Sequence, residues 1–423
     1  MEFRNEKGRF LHAVMADYIM DTYKFVTING TLYVWDRNKY RPDVQDWIQM
    51  VANRLDPSTT EAQRNEVYKT IKCYKVNFPM FAGVDKYKIG FKNGVLDVRT
   101  MQFYTENLSD FAICNVIPHN YNPDVEEQPQ VAEYIKTLAD NDVLTEKLLY
   151  QVIGYPMLVN CNLRTMFLLY GSAQCGKTKF VEYIERLYGQ ENYSTFDIEE
   201  INGRFNRAQI CGKLFNYSDD IDAGYIEKPN FLKRLISGQS AMQVENKGKD
   251  GYAAPFYAKL ILSMNEFPKI KIDNDISAWQ SRFNIIHFKH TFEKNPNYDS
   301  WAEENLCAQE AIEWMLYKAA QAINKAVTSG KFEYIDLENF TEFLKNNNPF
   351  MQMALSVTED EWQEVYDVKA WFNENVEDYG YKTKFNGFMT NFNALHDSLE
   401  IFKTHRKDEL TGKRHYIYRI RRK

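Results

Sequence analysis

A chain of 423 residues with 44% hydrophobic and 26% charged residues can bury sizeable cores, and its length points to two to four globular domains. The net charge of −6 and pI near 5.8 exclude a uniformly basic nucleic-acid binder, though not a local basic surface. Cys73, Cys114, Cys161, Cys175, Cys211 and Cys307 show no metal-ligand spacing, the N-terminus is polar, and no apolar run is long enough to span a bilayer, so reduced thiols, no membrane and a cytoplasmic setting are expected.

Helical spacing of Phe10, Leu11, Val14, Met15, Tyr18 and Ile19 predicts a helix over 7–21. A hairpin follows, Phe25 to Ile28, an Asn29-Gly30 turn, then Leu32 to Trp35. Ser58 and Glu61 fit a capping box for the next helix. A second hairpin uses Asn93-Gly94, between Ile89–Phe91 and Val95–Val98. Tyr121-Asn122-Pro123-Asp124 reads as a linker, which sets an N-terminal α+β domain at 1–125. Helix and strand then alternate to about residue 300. Thr165–Tyr170, Leu214–Tyr217 and Ala258–Ser263 are short apolar runs suited to buried parallel strands.

The first of these runs leads into Gly171, Ser172, Ala173, Gln174, Cys175, Gly176, Lys177 and Thr178, a complete G-x-x-x-x-G-K-[ST]. Phe180, Val181, Tyr183, Ile184 and Leu187 follow at helical spacing. A strand, a glycine loop and a helix start are what phosphate binding needs. Glycines let the backbone curl so that its N–H groups point inward, and the helix adds a positive end of about half a charge. Lys177 is expected to bridge the β- and γ-phosphates of ATP, and the Thr178 hydroxyl to ligate Mg²⁺.

Hydrolysis also needs an acid for the metal and a group for the attacking water. Leu214–Tyr217 runs into Ser218-Asp219-Asp220. Asp219 is read as holding Mg²⁺ and Asp220 as orienting the water, with the order of the two open. Asn265, at the tip of the next apolar run, suits a sensor of the γ-phosphate. Arg282 is the only arginine between Arg234 and Arg406, ahead of the strand-like Asn284–Phe288. A forked guanidinium is not replaceable by lysine where it must meet phosphate, so Arg282 is read as an arginine finger. Acting across a subunit boundary, it requires a ring. Trp301–Val327 is a helical pair or one long helix, and Asn346–Pro349 marks a second break.

This ordered set resembles the superfamily 3 helicases of the poxvirus and phage or plasmid primase-helicase group, with an AAA+-type P-loop core. The matching stretches are 171–178, 213–220, Phe231–Gly238, Asn265–Pro268 and Ser281–Phe283, with Phe91–Asp97 and Leu148–Tyr155 upstream. The resemblance implies a homo-oligomeric ring, usually a hexamer, 3′→5′ movement on single-stranded DNA, and replication partners. It also implies a pore hairpin that grips DNA, here Glu245–Tyr252, with Lys247 and Lys249 for phosphates and Tyr252 for bases. Two departures stand out. The residues ahead of the core are too few for a primase domain, so no primer synthesis is expected, and Ser281 replaces the first of the usual two arginines.

Residues 401–423 carry nine basic against two acidic side chains. Ile401–Lys407 and Tyr416–Ile420 suggest a hairpin wing after a helix at Phe385–Leu399. Because the family often ends in a winged helix, duplex DNA binding through residues such as Arg414 and Arg419 is expected. The whole is thus an α/β protein in three parts: the N-terminal domain, an ATPase core at 126–345 with a parallel sheet, and a small winged-helix-like DNA-binding domain at 346–423. An ATP-dependent DNA helicase is the leading expectation. An origin-binding initiator ATPase and a P-loop kinase are the alternatives.

Overall fold

The computed structural model describes residues 3–201, 203, 206–219, 225–226, 229–238, 242–244, 252–254, 256–267, 269–270, 279–293, 295–332, 340, 343, 363–365, 399–407, 412 and 414–422. The architecture is mixed α/β, with several sheets, the largest of them five-stranded and wholly parallel.

The front of the chain packs three helices, His12–Thr22, Val44–Leu55 and Glu61–Cys73, with a four-stranded sheet. The first helix starts at His12 rather than near residue 7. Gly8 sits at φ +73°, and Arg4 and Phe10 form a bridge, so the segment up to Phe10 turns back on itself despite its helical apolar spacing. The first hairpin forms with Ile28 opposite Thr31. Asn29 and Gly30 both have positive φ, as a type I′ turn requires. The third helix is capped by Thr60 and Gln63, two residues beyond the expected Ser58. Thr60 Oγ1 accepts from Gln63 N at 3.3 Å, and Gln63 Oε1 accepts from Thr60 N at 2.9 Å. Ser58 is engaged instead with Asp56 and Arg4.

The second hairpin pairs Lys88–Phe91 with Gly94–Asp97, and Phe91 faces Gly94. Its turn is therefore Lys92-Asn93, one residue earlier than Asn93-Gly94. Gly94 is needed within the strand, because a Cβ there would strike Phe103 and the Tyr104 backbone. The Asn93 side chain ties the turn down, bonding both the N–H and the carbonyl of Tyr121 at 2.9 Å. The Tyr121–Asp124 stretch is anchored: Tyr121 is buried, and Asn122 donates to the carboxylate of the buried Glu313. One hydrophobic cluster runs from Ile89 and Phe91 through Leu148, Leu149, Phe167 and Phe180 to Leu316 and Phe332. The small 88–117 sheet thus shares its core with the segment that follows.

That segment is organised around five parallel strands in the order Tyr193–Ser194, Phe215–Ser218, Lys259–Met264, Met166–Tyr170, Phe283–His287. Four of these strands differ from their sequence estimates by only a residue at either end, and the short edge strand Tyr193–Ser194 was not among the expected ones. The three middle strands are buried almost throughout, as a parallel sheet covered on both faces demands. The Asn265-bearing strand lies between the loop strand and the acidic strand, so sequence order and spatial order differ. The helical region expected over Trp301–Val327 is a pair, Tyr298–Asn305 and Gln309–Ser329. The longer helix lies against Val143–Gly154, where Gly154 permits approach to the Ala319 backbone.

Met242–Val244 and Tyr252–Ala254 pair antiparallel, with Val244 opposite Tyr252. Their connection, with Lys247 and Lys249, lies outside the described residues. Near the C-terminus, Leu399–Lys407 and Arg414–Arg422 form a long antiparallel pair, and Gln363–Val365 joins the second strand. The expected helix at 385–399 lies outside the described residues up to 398, and Leu399 itself opens a strand. Among the described residues no helix is long and apolar enough to cross a membrane.

Candidate functional site

The Met166–Tyr170 strand delivers the chain to Gly171 at the carboxyl end of the sheet, and the helix Lys177–Tyr188 leaves from it. Two hydrogen bonds fix the root of the loop: Gly171 N donates to Met264 O at 3.3 Å, and Phe288 N donates to Tyr170 O at 2.7 Å. Gly176 has φ +93°, a conformation that L side chains rarely adopt. A Cβ there would also sit 2.7 Å from Leu138 Cδ2 and 2.9 Å from Phe292 Cε2. Ser172, Ala173, Gln174 and Thr178 are exposed, while Cys175 is buried as the loop's inward anchor.

Lys177 is only 6% exposed and its ammonium is folded onto the loop. Nζ donates to Gly171 O at 2.6 Å and Ser172 O at 3.1 Å, and lies 3.4 Å from Cys175 Sγ. It also donates to Asn265 Oδ1 at 3.0 Å. The lysine of the glycine loop and the amide at the tip of the neighbouring strand, 88 residues apart, therefore meet directly.

On the other side, the acidic strand Phe215–Ser218 ends at Asp219, which is exposed. The buried Tyr217 hydroxyl lies among Asp219, Ser263 and Thr178. Burial, reinforced by Asp219, holds the phenol proton on well above its ordinary range. Thr178 and Asp219, the two residues read as metal ligands, thus border one hydroxyl. Their hydroxyl and carboxylate oxygens are the hard donors that Mg²⁺ takes. Asp220 lies outside the described residues.

Tyr217 was not singled out from sequence. It sits two positions before Asp219, so the period-two alternation of a strand puts both on one face, and that count was the available signal.

Arg282 is placed elsewhere. Its carbonyl accepts from Met166 N at 2.8 Å, and the following strand pairs Phe283 with Met166 and His287 with Tyr170. Arg282 therefore stands at the amino end of the sheet, with the loop at the carboxyl end. The intervening five-residue strand is about 16 Å long, farther than one side chain can span. Within one chain the structure joins Lys177, Thr178, Asp219 and Asn265 and leaves Arg282 apart. Tyr252 opens the second strand of the 242–254 pair, and Arg414 and Arg419 lie on the last strand.

The fold and the site define an α/β protein whose parallel sheet ends in a glycine loop opening a helix, with a lysine, an amide and a carboxylate gathered around it. Residues 12–140 match the family described as D5 N terminal like, and residues 169–282 match a family of unknown function (DUF5906). No curated protein matches the chain. Among solved structures, the apo structure of the NrS-1 C terminal region (305–718) superposes with a TM-score of 0.52 at 13% identity, covering 97% of this chain and 99% of that one. Its A form apo structure gives 0.51 at 14% identity, over 92% and 87%. At that identity the likeness is one of fold.

Proposed function

We propose that this protein is an ATP-driven DNA helicase of the superfamily 3 type, working in replication of a phage, plasmid or related mobile element. The observation that carries the reading is the 3.0 Å contact between Lys177 Nζ and Asn265 Oδ1 at the mouth of the glycine loop. A lysine and an amide so placed can both address the terminal phosphate of a nucleotide held by the loop. The D5 N terminal like match over 12–140 supports the replication assignment.

In this reading the loop amides and the helix end bind the β- and γ-phosphates, and Lys177 leaves its carbonyl partners to meet them. Thr178 and Asp219 would hold Mg²⁺, which neutralises phosphate charge. Asn265 senses the γ-phosphate and, with Asp220, orients the attacking water. Arg282 meets the phosphate of a neighbouring copy, because its place at the far end of the sheet bars it from its own. A shared site of that kind makes a ring, and the family resemblance puts it at six subunits around DNA gripped by Lys247, Lys249 and Tyr252. The basic C-terminal pair, with Arg414 and Arg419, serves duplex DNA as part of a winged helix.

ATP hydrolysis measured with and without single-stranded DNA, alongside strand release from a forked duplex, tests the proposal. DNA-stimulated hydrolysis with strand release is expected. ATPase with origin binding but no strand release would instead make the protein an initiator, and phosphoryl transfer to a small acceptor without DNA stimulation would make it a kinase.

A further inference from the structure

Among the described residues seven large apolar side chains stand exposed, and five of them fall in two short stretches. Scattered exposed apolar residues are ordinary, whereas clustered ones mark contact surfaces. The first stretch is Tyr74, Val76 and Met80, between the end of the helix Glu61–Cys73 and the short strand Met80–Phe81. Val76 is 87% exposed and Met80 77%. The second is Val143 and Leu144, in the first turn of the helix Val143–Gly154, with Val143 59% exposed.

The two stretches carry opposite charge. Residues 67–84 hold Lys69, Lys72 and Lys75 and no acid, in a chain whose net charge is −6. These lysines recur every third residue, so they lie along one side of the helix end and of the 3-10 turn Tyr74–Asn77 that continues it. Lys69 is paired with Glu66, but among the described residues neither Lys72 nor Lys75 meets a carboxylate. Residues 137–146 reverse the pattern: Asp140, Asp142 and Glu146, with no base until Lys147. Asp140 and Asp142 are exposed and Glu146 is half-buried.

The stretches also belong to opposite sides of the central sheet. In the N-terminal sheet Met80–Phe81 is one edge strand and Lys39–Arg41 the other. Lys39 is bonded to Glu191, beside the Tyr193–Ser194 edge of the central sheet, which leaves Met80 on the far edge of its own sheet. Asp142 lies by the opposite edge. Hydrogen bonds from Thr145 at 2.7 Å, and the charge of Lys289 just past Phe283–His287, hold its carboxyl below the ordinary range. Complementary faces on opposite sides of a molecule pair between copies, head to tail. We propose that these two faces form a contact between copies of this chain, with Tyr74, Val76 and Met80 of one seated on Val143 and Leu144 of the next, and Lys72 and Lys75 against Asp140 and Glu146. The apolar side chains supply the burial and the charges set the register. Such a contact closes into a ring when its rotation allows. It lies outside the glycine loop and needs no nucleotide, so its failure would leave the reading of that loop standing.

Sedimentation velocity of the full chain, without nucleotide and at low salt, tests the contact. The wild type should associate. Lys72→Glu with Lys75→Glu should weaken association at least about tenfold, and so should Glu146→Lys with Asp140→Asn. Asparagine suits the left-handed φ of +52° at position 140. All four substitutions in one chain reverse both faces together and should restore most of the association. A wild type that stays monomeric overturns the contact, as do pair variants that assemble normally or a fourfold variant no better than either pair. Lysine variants that assemble normally but lose single-stranded DNA would make the basic face a nucleic-acid surface instead. Should a variant lose its melting transition, zero-length carbodiimide crosslinking of the wild type decides. Amide links from Lys72 or Lys75 to Asp140 or Glu146, confined to associated species, support the contact, and associated chains without them refute it.

Discussion

The two ends of the central sheet are built on different plans. At the carboxyl ends of the strands, Gly171–Thr178, Asp219 and Asn265 converge, and much of the loop is exposed to solvent. The cations at the amino ends include Arg282 and Lys259. Lys259 is fully buried, and its ammonium donates to Leu158 O and Tyr257 O. Parallel sheets gather ligands at the carboxyl ends of their strands, where helix starts and loops meet. A cation at the other end must answer to something else: for Lys259 the chain's own carbonyls, and for Arg282, in the proposed reading, a second copy of the chain.

The sharpest way to break that contrast is Arg282→Ala. If Arg282 completes a neighbour's site, turnover of ATP should fall by roughly 10³–10⁵ while nucleotide affinity stays as it was. Steady-state hydrolysis and equilibrium binding on the same preparation separate the two. A variant that hydrolyses ATP normally would make Arg282 a local structural residue.

Lys177→Ala strikes the opposite end. Loss of one charged donor at the phosphate should lower hydrolysis by on the order of 10²–10³, and here nucleotide binding should weaken as well. The two variants also test each other. If copies share sites in a ring as proposed, mixed assemblies of Lys177→Ala and Arg282→Ala chains contain some interfaces with both residues intact, so mixing two inactive preparations should restore part of the activity. Failure of every mixing ratio to do so would count against a site shared between copies.

How much of this was legible beforehand depends on how local the signal was. The glycine loop, the Asn29-Gly30 hairpin and four of the five central strands are written in contiguous residues and are legible to within a residue or so, whereas the two-residue edge strand Tyr193–Ser194 is too short to carry a pattern. The first helix was drawn too early because apolar spacing from Phe10 is blind to the positive φ of Gly8. The Thr60 cap was missed by two positions because Asp56 takes the Ser58 hydroxyl, a competition that spacing alone does not reveal. The site divides in the same manner. Lys177, Asp219 and Asn265 are picked out by motif alone. The approach of Lys177 to Asn265, and of Thr178 and Asp219 to Tyr217, spans tens of residues and depends on strand order.

Lys259 was visible too, as the one charge inside the apolar run Ala258–Ser263, yet its role follows only from its surroundings. Burial lowers its pKa from the ordinary 10.5 to about 8. The unfolded chain therefore binds more protons than the folded one between about pH 8 and 10.5. Its contribution to stability is fully present above 10.5 and is lost as pH falls through 8. Several buried tyrosines shift the other way and would mask this in the wild type alone. Lys259→Met retains them and removes the amine. The stability of wild type relative to Lys259→Met, from denaturant unfolding at a series of pH values, should climb by on the order of 1 kcal/mol per unit between pH 8 and 10.5. The amine can still donate to the Leu158 and Tyr257 carbonyls when neutral, so their loss in the methionine variant adds an offset that pH does not change. A difference that stays flat across the window would mean that the ammonium is as well solvated by those carbonyls and the Tyr155 ring as it is by water.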